Sequence, residues 1–212
     1  MNEPTVPERR GFPRRRLLLG LVLALGLGGG GWKLYDIYVR HRLGVITEGQ
    51  VYKSGAMPPA EMARVAKELG LHTVIDLRTY LPGQDSTNTT ALDVIQAEAD
   101  ALKAAGVRHF HLPTAQVPTE ATLKRFLELM ADPANRPTLI HCHHGVGRTE
   151  LFAALWRIEF EGWSNEKARN ATRLIVPGSS FSDTSEKGRY LLDYHPRRAG
   201  AAPGAPIPAQ KP

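Results

Sequence analysis

The sequence predicts an α/β fold, a three-layer sandwich in which a central, mainly parallel sheet is flanked by helices. From Gly44 onward, short apolar strands alternate with longer amphipathic stretches, which is the order of elements that builds a parallel sheet. Two of the strands are apolar and β-branched, as strands buried on both faces should be. One N-terminal transmembrane helix is predicted to precede this domain.

Periodicity and end signals assign the elements in order. Four strands are predicted, at Gln50–Lys53, Thr73–Leu77, Arg108–Leu112 and Thr138–His141. Helices are predicted at Pro59–Leu69, Ala91–Ala105, Ala121–Met130 and Val146–Glu161, followed by a short helix that Ser164 caps. Glycines directly after three of these helices serve as C-caps, namely Gly70, Gly106 and Gly162.

The N-terminus has the pattern of a signal sequence, because an apolar run from Leu17 to Trp32 follows five arginines. We interpret residues 17–38 as a retained signal anchor that crosses the membrane, and residues 1–16 as a basic cytoplasmic segment. A cleaved signal peptide is the competing interpretation. The folded domain is assigned to residues 43–195, and the Pro/Ala-rich residues 196–212 are expected to be disordered.

The charges around the apolar run predict the topology of the chain. More basic residues precede the run than follow it, so the positive-inside rule keeps the N-terminus in the cytoplasm. We therefore expect a single-pass protein of a bacterial inner membrane whose domain faces the periplasm. Arg14 and Arg15 also loosely resemble a twin-arginine export signal, which leads to the same topology.

The net charge of +6 belongs to the two ends of the chain. Residues 1–42 carry eight Lys/Arg and three Asp/Glu, residues 196–212 carry three Lys/Arg and no acid, and the part between them has a net charge of −2. A slightly acidic domain argues against nucleic-acid binding. The single cysteine, Cys142, excludes an intramolecular disulfide and a four-cysteine metal site.

The segment around this cysteine carries the chemistry. From Thr138 to Thr149 the chain reads TLIHCHHGVGRT, which is a buried strand, a turn with two glycines and the start of a helix. Converging backbone N–H groups and the helix N-terminus let such a loop bind a phosphate largely through its main chain. Gly145 and Gly147 are expected to supply the positive φ values and the close approach that the loop needs.

Three side chains of this segment fit nucleophilic catalysis. Cys142 lies at the end of the strand, where the positive potential of the loop should lower the thiol pKa and hold it as a thiolate. Arg148 closes the loop with a planar fork suited to two phosphate oxygens. Thr149 can donate its hydroxyl to the sulfur.

The string His141-Cys142-x5-Arg148-Thr149 resembles the signature of the cysteine-dependent protein tyrosine and dual-specificity phosphatase superfamily. The resemblance covers residues 45–175 and includes Val51–Gly55, Thr73–Arg78 and Trp156–Ser164. It points to a bacterial, membrane-anchored member that hydrolyses phosphomonoesters through a phosphocysteine intermediate, without metal or cofactor. Phosphorylated proteins are the default substrates, and phosphoinositides or phospholipids are the alternative beside a membrane.

The same resemblance assigns roles within the loop. It implies that Cys142 is the nucleophile, that Arg148 binds the phosphate and its transition state, and that Thr149 stabilises the thiolate. The backbone N–H groups of the residues between them form the phosphate cradle, namely His143, His144, Gly145, Val146 and Gly147.

The sequence differs from the superfamily in its general acid. Members of the superfamily usually have an Asp in the loop after the strand that here ends at Leu112. That loop reads PTAQVP and has no carboxylate before Glu120. Asp85 is the first candidate. The other candidates are Glu120, Asp76, His143 and His144. Glu150 is a second departure, expected either to raise the pKa of Cys142 or to point to solvent at the helix N-terminus.

Two other functions fit parts of the sequence. A zinc site could use four members of a dense His/Cys set. The set comprises His109, His111, His141, Cys142, His143 and His144. Such a site would leave Arg148 and the two loop glycines without a role. A catalytically weak phosphate-binding protein is the second alternative, because loss of the acid removes rate rather than binding.

Overall fold

The computed structural model describes residues 28–79, 92–173 and 175–197, and it divides the chain into two units at residues 40 and 41. In the first unit, residues 28–38 form a helix, α1, on which Trp32 and Tyr38 are exposed. Across the described ranges, no helix is long and apolar enough to cross a membrane. Residues 1–27, which hold the basic segment and the start of the predicted anchor, lie outside the described residues.

The second unit is built on a five-stranded sheet with the order β1-β2-β5-β3-β4. Its strands are β1 (Gly44–Thr47), β2 (Val51–Gly55), β3 (Thr73–Asp76), β4 (Arg108–His111) and β5 (Thr138–Cys142). Strand β1 runs antiparallel to β2, and the other neighbours are parallel. The mainly parallel sheet is therefore confirmed. The sequence analysis missed β1, a four-residue edge strand whose register is interrupted by a bulge.

The described residues of this unit form six α-helices. They are α2 (Pro59–Glu68), α3 (Leu92–Ala104), α4 (Glu120–Ala131), α5 (Arg148–Glu161), α6 (Asn165–Asn170) and α7 (Glu186–Leu192). The five predicted helices are confirmed, although the one predicted from Val146 begins at Arg148. Helix α7 was not predicted, and its N-cap is Ser185, whose hydroxyl accepts a hydrogen bond from the N–H of Gly188.

The helices cover both faces of the sheet. Helices α2 and α3 pack on one face, against Tyr52, Val74 and Leu139. Helices α4, α5, α6 and α7 pack on the other face, and their core includes Val51, Ile75 and Ile140. Because neighbouring residues of one strand point to opposite faces, each central strand contributes to both cores. The three-layer sandwich predicted from the sequence is the architecture of this unit.

The strand registers bring the carboxyl ends of the parallel strands together. Gly55 of β2 pairs with Cys142 of β5, and Asp76 of β3 pairs with His141 of β5 and His111 of β4. In open α/β sheets, this edge is where ligands bind. The loop after Cys142 and the loops after β3 and β4 therefore share one end of the domain.

The end of the domain extends slightly beyond the predicted boundary. The N–H of Arg197 donates to a carboxylate oxygen of Glu159 over 2.9 Å, and the guanidinium of Arg197 pairs with Glu120. The sequence analysis placed Arg197 in the disordered tail. The remainder of that tail, residues 198–212, lies outside the described residues.

Candidate active site

Cys142 is the last residue of β5, and only 3% of its surface is exposed. The N–H of Gly145 donates to its sulfur over 3.3 Å. Burial by itself raises the pKa of the Cys142 thiol. The hydroxyl and N–H of Thr149, the charge of Arg148 and the N–H of Gly145 outweigh burial, so the thiol pKa lies below its ordinary value. Cys142 is thus disposed to ionise, as a nucleophilic cysteine must be.

The two glycines of the loop differ in their backbone. Gly145 has a φ of 69°, and a Cβ added there would lie 2.6 Å from the nitrogen of Gly55 and 2.8 Å from the carbonyl oxygen of Ser54. The loop therefore packs directly on the end of β2. Gly147 has a φ of −114°, and the atom nearest to an added Cβ would be 3.9 Å away. The expectation of a positive φ and a close approach is wrong for Gly147, which caps α5 instead.

Arg148, the first residue of α5, is held by the loops after β3 and β4. Its Nη1 donates to the carbonyl oxygens of Leu77 and Thr114 over 2.9 and 3.2 Å, and to the hydroxyl of Thr79 over 3.1 Å. These contacts fix the guanidinium near Cys142, whose thiol pKa it lowers. Arg148 therefore stabilises negative charge at this position without having to move.

A cavity of about 260 Å³ opens beside the Cys142 loop. It is lined by Gln116, Cys142, His144, Val146, Gly147, Arg148, Ser180 and Lys187. Five of these residues belong to the loop identified from the sequence, and His143 lies outside the lining. The sequence analysis missed Lys187 because it did not recognise α7. The N-cap signal of Ser185, followed by an acidic residue, could have revealed that helix.

A buried ion cluster lies behind the loop. Arg78 contacts both carboxylate oxygens of Asp76, with Nε–Oδ1 and Nη2–Oδ2 distances of 2.9 and 2.8 Å, and its Nη2 lies 3.0 Å from Glu98 Oε2. His141, which precedes Cys142, has its Nε2 2.9 Å from Glu98 Oε1. Burial alone lowers the pKa of His141, but Glu98 and Asp76 raise it above its ordinary value. The two carboxylates thus favour the charged form of His141 under the loop.

The carboxylates considered as general acids are mostly engaged elsewhere. Asp76 accepts a hydrogen bond from the N–H of Arg78 over 2.8 Å, which is the role of a structural strand-end carboxylate. Glu120 is 74% exposed and paired with Arg197. Asp85 lies outside the described residues. Among the described residues that line the cavity, none carries a carboxylate.

Glu150 is buried and paired with Lys53, whose Nζ lies 2.6 Å from its Oε1. The expectation that Glu150 points to solvent is therefore wrong. The net pKa of the Cys142 thiol is lowered with Glu150 in this position. The alternative expectation, that Glu150 by itself raises this pKa, stays a prediction. Burial raises the pKa of Glu150 itself, against the charge of Lys53.

The histidines of the zinc alternative already contact other groups of the protein, and two of them, His109 and His141, share Glu98. His109 lies 3.3 Å from Glu98, His111 donates to the carbonyl oxygen of Arg78 over 2.8 Å, and the rings of His143 and His144 contact edge to face with centroids 4.5 Å apart. Ligand atoms of three buried residues do lie within 4.8 Å of one another, namely Asp76, Glu98 and His141. The guanidinium of Arg78 already neutralises their carboxylates, which leaves this position poorly suited to a cation.

A thiol of lowered pKa at a strand–loop–helix turn, beside a fixed arginine and in a three-layer α/β fold, defines the class of cysteine-dependent phosphatases. The model of the family described as a DSP-PTPase phosphatase fused to NAD+ kinase matches residues 44–188. The chain belongs to this family. The superfamily recognised from the sequence of the loop is thereby confirmed.

Relatives of known name agree with this class. The dual specificity protein phosphatase TpbA of Pseudomonas aeruginosa is 41% identical over 66 residues, which are 30% of this chain and 30% of TpbA. The match thus spans less than a third of that curated relative.

Solved structures share the fold of the domain. The catalytic core of the PP-IP phosphatase Siw14 of S. cerevisiae, in complex with citrate, has a TM-score of 0.54 at 21% identity, covering 72% of this chain and 85% of that chain. P. aeruginosa TpbA in complex with phosphotyrosine has a TM-score of 0.52 at 23% identity, with coverages of 73% and 84%. At these identities the likeness establishes the fold.

We expect Gly145→Ala to lower kcat/KM by about 10²-fold or more, because the added Cβ pushes the loop off β2 and misplaces the groups around the sulfur. Gly70 is the matched control, since it also has a positive φ, of 60°, but no atom within 4 Å of an added Cβ. Gly70→Ala should lose only the backbone-strain energy, about 1–3 kcal/mol of stability. Hydrolysis of p-nitrophenyl phosphate and urea unfolding of both variants are the measurements. Equal loss of activity in the two would exclude the close approach as the cause.

We expect Glu98→Gln to destabilise the protein by about 3 kcal/mol at neutral pH, because it removes one of the two carboxylates that pair with the buried cations of the cluster. Burial alone raises the pKa of Glu98, but His141, His109 and Arg78 hold it well below its ordinary value of 4.5. The contribution of Glu98 is therefore complete above that value and is lost as the pH falls below it.

The free energy of unfolding in urea, measured against pH, tests this assignment. The wild type should lose stability below about pH 4.5, and Glu98→Gln should show a shallower acid limb. Glu68→Gln is the control, since Glu68 is 56% exposed and its one ion pair within the described ranges is an i,i+4 contact with Arg64. Its effect should stay below about 0.5 kcal/mol. Parallel acid limbs for wild type and Glu98→Gln would contradict the assignment.

Proposed function

We propose that this chain hydrolyses phosphomonoesters through a phosphocysteine intermediate and acts on phosphotyrosine or on dual-specificity protein substrates. The observation that carries the proposal is the position of Cys142, whose thiol has a lowered pKa and lines a cavity together with Arg148. A thiolate nucleophile beside a fixed guanidinium is suited to phosphoryl transfer, because the charge that develops on the phosphoryl oxygens meets a preorganised donor.

The reaction takes place in two steps at this site. The Cys142 thiolate attacks phosphorus, the S–P bond forms, and the bond to the ester oxygen breaks with its electron pair on that oxygen. The alcohol leaves once this oxygen has gained a proton. Water then attacks the phosphocysteine, inorganic phosphate leaves, and the thiolate is regenerated. Arg148 and the loop N–H groups bind the phosphoryl oxygens in both steps.

The choice of substrate rests on the relatives. TpbA is named a dual specificity protein phosphatase and was solved in complex with phosphotyrosine, which supports a phosphoprotein substrate. Siw14 is named a PP-IP phosphatase, and this name supports the alternative that the substrate is a phosphorylated molecule other than a protein. Phosphoinositides and phospholipids come first among these alternatives, because the predicted anchor would hold the domain beside a bilayer.

The proposed location is the bacterial inner membrane, with a single span and a periplasmic domain. The arginines before residue 17 and the apolar run that follows support this topology. Exposed Trp32 and Tyr38 on α1 are side chains of the kind that lie at a membrane interface. Protease added to spheroplasts should cleave the domain. A full-length domain that is protected until the membrane is lysed would contradict a periplasmic location.

The test of function combines substrate preference with detection of the intermediate. Phosphate release is measured from phosphotyrosine and phosphoserine peptides and from a phosphoinositide in mixed micelles. Rapid acid quenching during turnover, followed by mass spectrometry, should find one phosphoryl group on the peptide that contains Cys142. Turnover without this species would overturn the covalent mechanism. Phosphate binding without turnover would identify a phosphate-binding protein instead.

A further inference from the structure

Lys187 is a buried cation in the wall of the Cys142 cavity. It belongs to α7, and 8% of its surface is exposed. Its ammonium donates to Oε1 of Gln116 over 2.6 Å, and Nζ lies 4.0 Å from the position that a Cβ on Gly147 would occupy. Within the described residues, Gln116 is its one hydrogen-bond partner. Two N–H groups of the ammonium are therefore available to a molecule in the cavity.

The cavity needs a proton donor. Breaking the ester bond puts negative charge on the leaving oxygen, and a poor leaving group departs slowly unless a positioned acid protonates it. Cys142 reacts as a thiolate, and the guanidinium of Arg148 holds its proton too tightly to give it up. Of the described groups that line the cavity, this leaves the His144 ring and the Lys187 ammonium as ionisable donors.

We propose that Lys187 is the general acid of this site, a role that rests on the proposed phosphatase function. Its Nζ donates a proton to the leaving oxygen, and Gln116 orients the ammonium by accepting one of its hydrogen bonds. Gln116 lies in the loop between β4 and α4. In this proposal the loop does not supply the acid itself; it supplies the side-chain amide that positions the acid.

The surroundings of Lys187 favour proton donation. Burial lowers the pKa of Lys187, and the positive charges of Arg148 and Arg173 lower it further. The negative charges of Glu186 and Cys142 act in the opposite direction and raise it. The net result is a pKa below the ordinary value of a lysine. An ammonium with a lowered pKa gives up its proton more easily than that of an ordinary lysine.

The step balances in atoms and charge. As the S–P bond forms and the P–O bond breaks, one N–H bond of Lys187 breaks and its proton joins the leaving oxygen, which departs as a neutral alcohol. Lys187 is then a neutral amine. In the second step, this amine accepts a proton from the water that attacks the phosphocysteine. The ammonium and the thiolate are restored together, and no other reactant is needed.

The test compares two substrates in the full chain. Phosphotyrosine has a leaving phenol of pKa about 10, whereas p-nitrophenyl phosphate releases a much better leaving group. Lys187→Met and Lys187→Arg should each lower kcat/KM on phosphotyrosine by about 10²-fold or more, and kcat/KM on p-nitrophenyl phosphate by less than about 5-fold. This ratio reports the steps up to departure of the leaving group and excludes hydrolysis of the phosphocysteine, which is common to both substrates. Lys187→Arg retains the charge but not a transferable proton. Activity of Lys187→Arg within about 3-fold of wild type on phosphotyrosine would therefore overturn the proposal.

The pH profile of the wild type is a second test and needs no variant. With Lys187 as the acid, kcat on phosphotyrosine should stay constant through neutral pH and fall only in the alkaline range. A carboxylic acid as the proton donor would make kcat fall from about pH 4–5, and a histidine as the donor from about pH 6.5. Either earlier fall would overturn the proposal. So would a leaving-group-dependent loss in Asp85→Asn that exceeds the loss in Lys187→Met.

Controls separate this role from folding and from the proposed function. Lys124→Met changes an exposed lysine of α4 and should leave both activities unchanged. Thermal unfolding of the Lys187 variants verifies that they fold. If the wild type lacks p-nitrophenyl phosphate turnover that Cys142→Ser abolishes, the phosphatase function fails, and the role of Lys187 fails with it. If that turnover is present and the Lys187 variants match wild type on phosphotyrosine, only the role of Lys187 fails.

Discussion

Cys142→Ser should lower kcat on p-nitrophenyl phosphate by at least about 10⁴-fold, the scale of losing a covalent nucleophile. A serine hydroxyl ionises much less readily than a thiol, whereas the surroundings of Cys142 already favour the thiolate. The leaving group is good, so the measurement reports the nucleophile rather than the general acid. Affinity for inorganic phosphate should be retained, because the loop backbone and Arg148 are unchanged.

Alkylation of the wild type tests the same assignment independently. Cys142 is the single cysteine of the chain, so iodoacetamide can alkylate a thiol only at this residue. The alkylation rate, followed against pH, should give a thiol pKa below the ordinary value, and inorganic phosphate should protect the thiol. Residual activity above about a tenth of wild type in Cys142→Ser would identify another nucleophile.

The part of the site that sequence predicts well is the part encoded by contiguous residues. The strand, loop and helix from Thr138 to Thr149 carry their own signals, namely an apolar β-branched run, two glycines and helical periodicity. The structure therefore differs only in detail, in the start of α5 and the backbone of Gly147. The central strands of the sheet could also be predicted from contiguous residues, because strands buried on both faces are short apolar runs.

The remaining parts of the site depend on contacts between segments that are distant in the sequence. Lys187 and Gln116 are 71 residues apart, and Arg78 reaches Glu98 across the sheet. In the sequence, Glu98 looks like one more charge on an amphipathic helix, and Lys187 lies beyond the last predicted helix. Only the packing of α3 and α7 shows that both are buried. The predicted general acid, Asp85, lies outside the described residues and stays a prediction.

Arg148→Lys should lower kcat/KM by about 10²–10³-fold on every substrate, whatever its leaving group, which is the loss expected for one transition-state donor. Lysine retains the positive charge but not the planar fork, so this variant isolates geometry from charge. Arg148→Met removes the charge as well and should also raise the pKa of the Cys142 thiol, because that charge is one of the causes of its lowering. The alkylation rate against pH measures this second effect.

Arg169 is the matched control for the structural part of this role. Its Nη1 donates to the carbonyl oxygen of Phe181 over 2.8 Å, and the Nη1 of Arg148 makes the same kind of contact with Leu77. Unlike Arg148, Arg169 is not among the residues that line the Cys142 cavity. Arg169→Lys should therefore change stability without changing kcat/KM. A loss that grows with the pKa of the leaving group in Arg148→Lys would instead place Arg148 at the leaving oxygen, the position that we assign to Lys187. A loss independent of the leaving group leaves Arg148 on the phosphoryl oxygens, where the negative charge of the transition state requires a fixed cation.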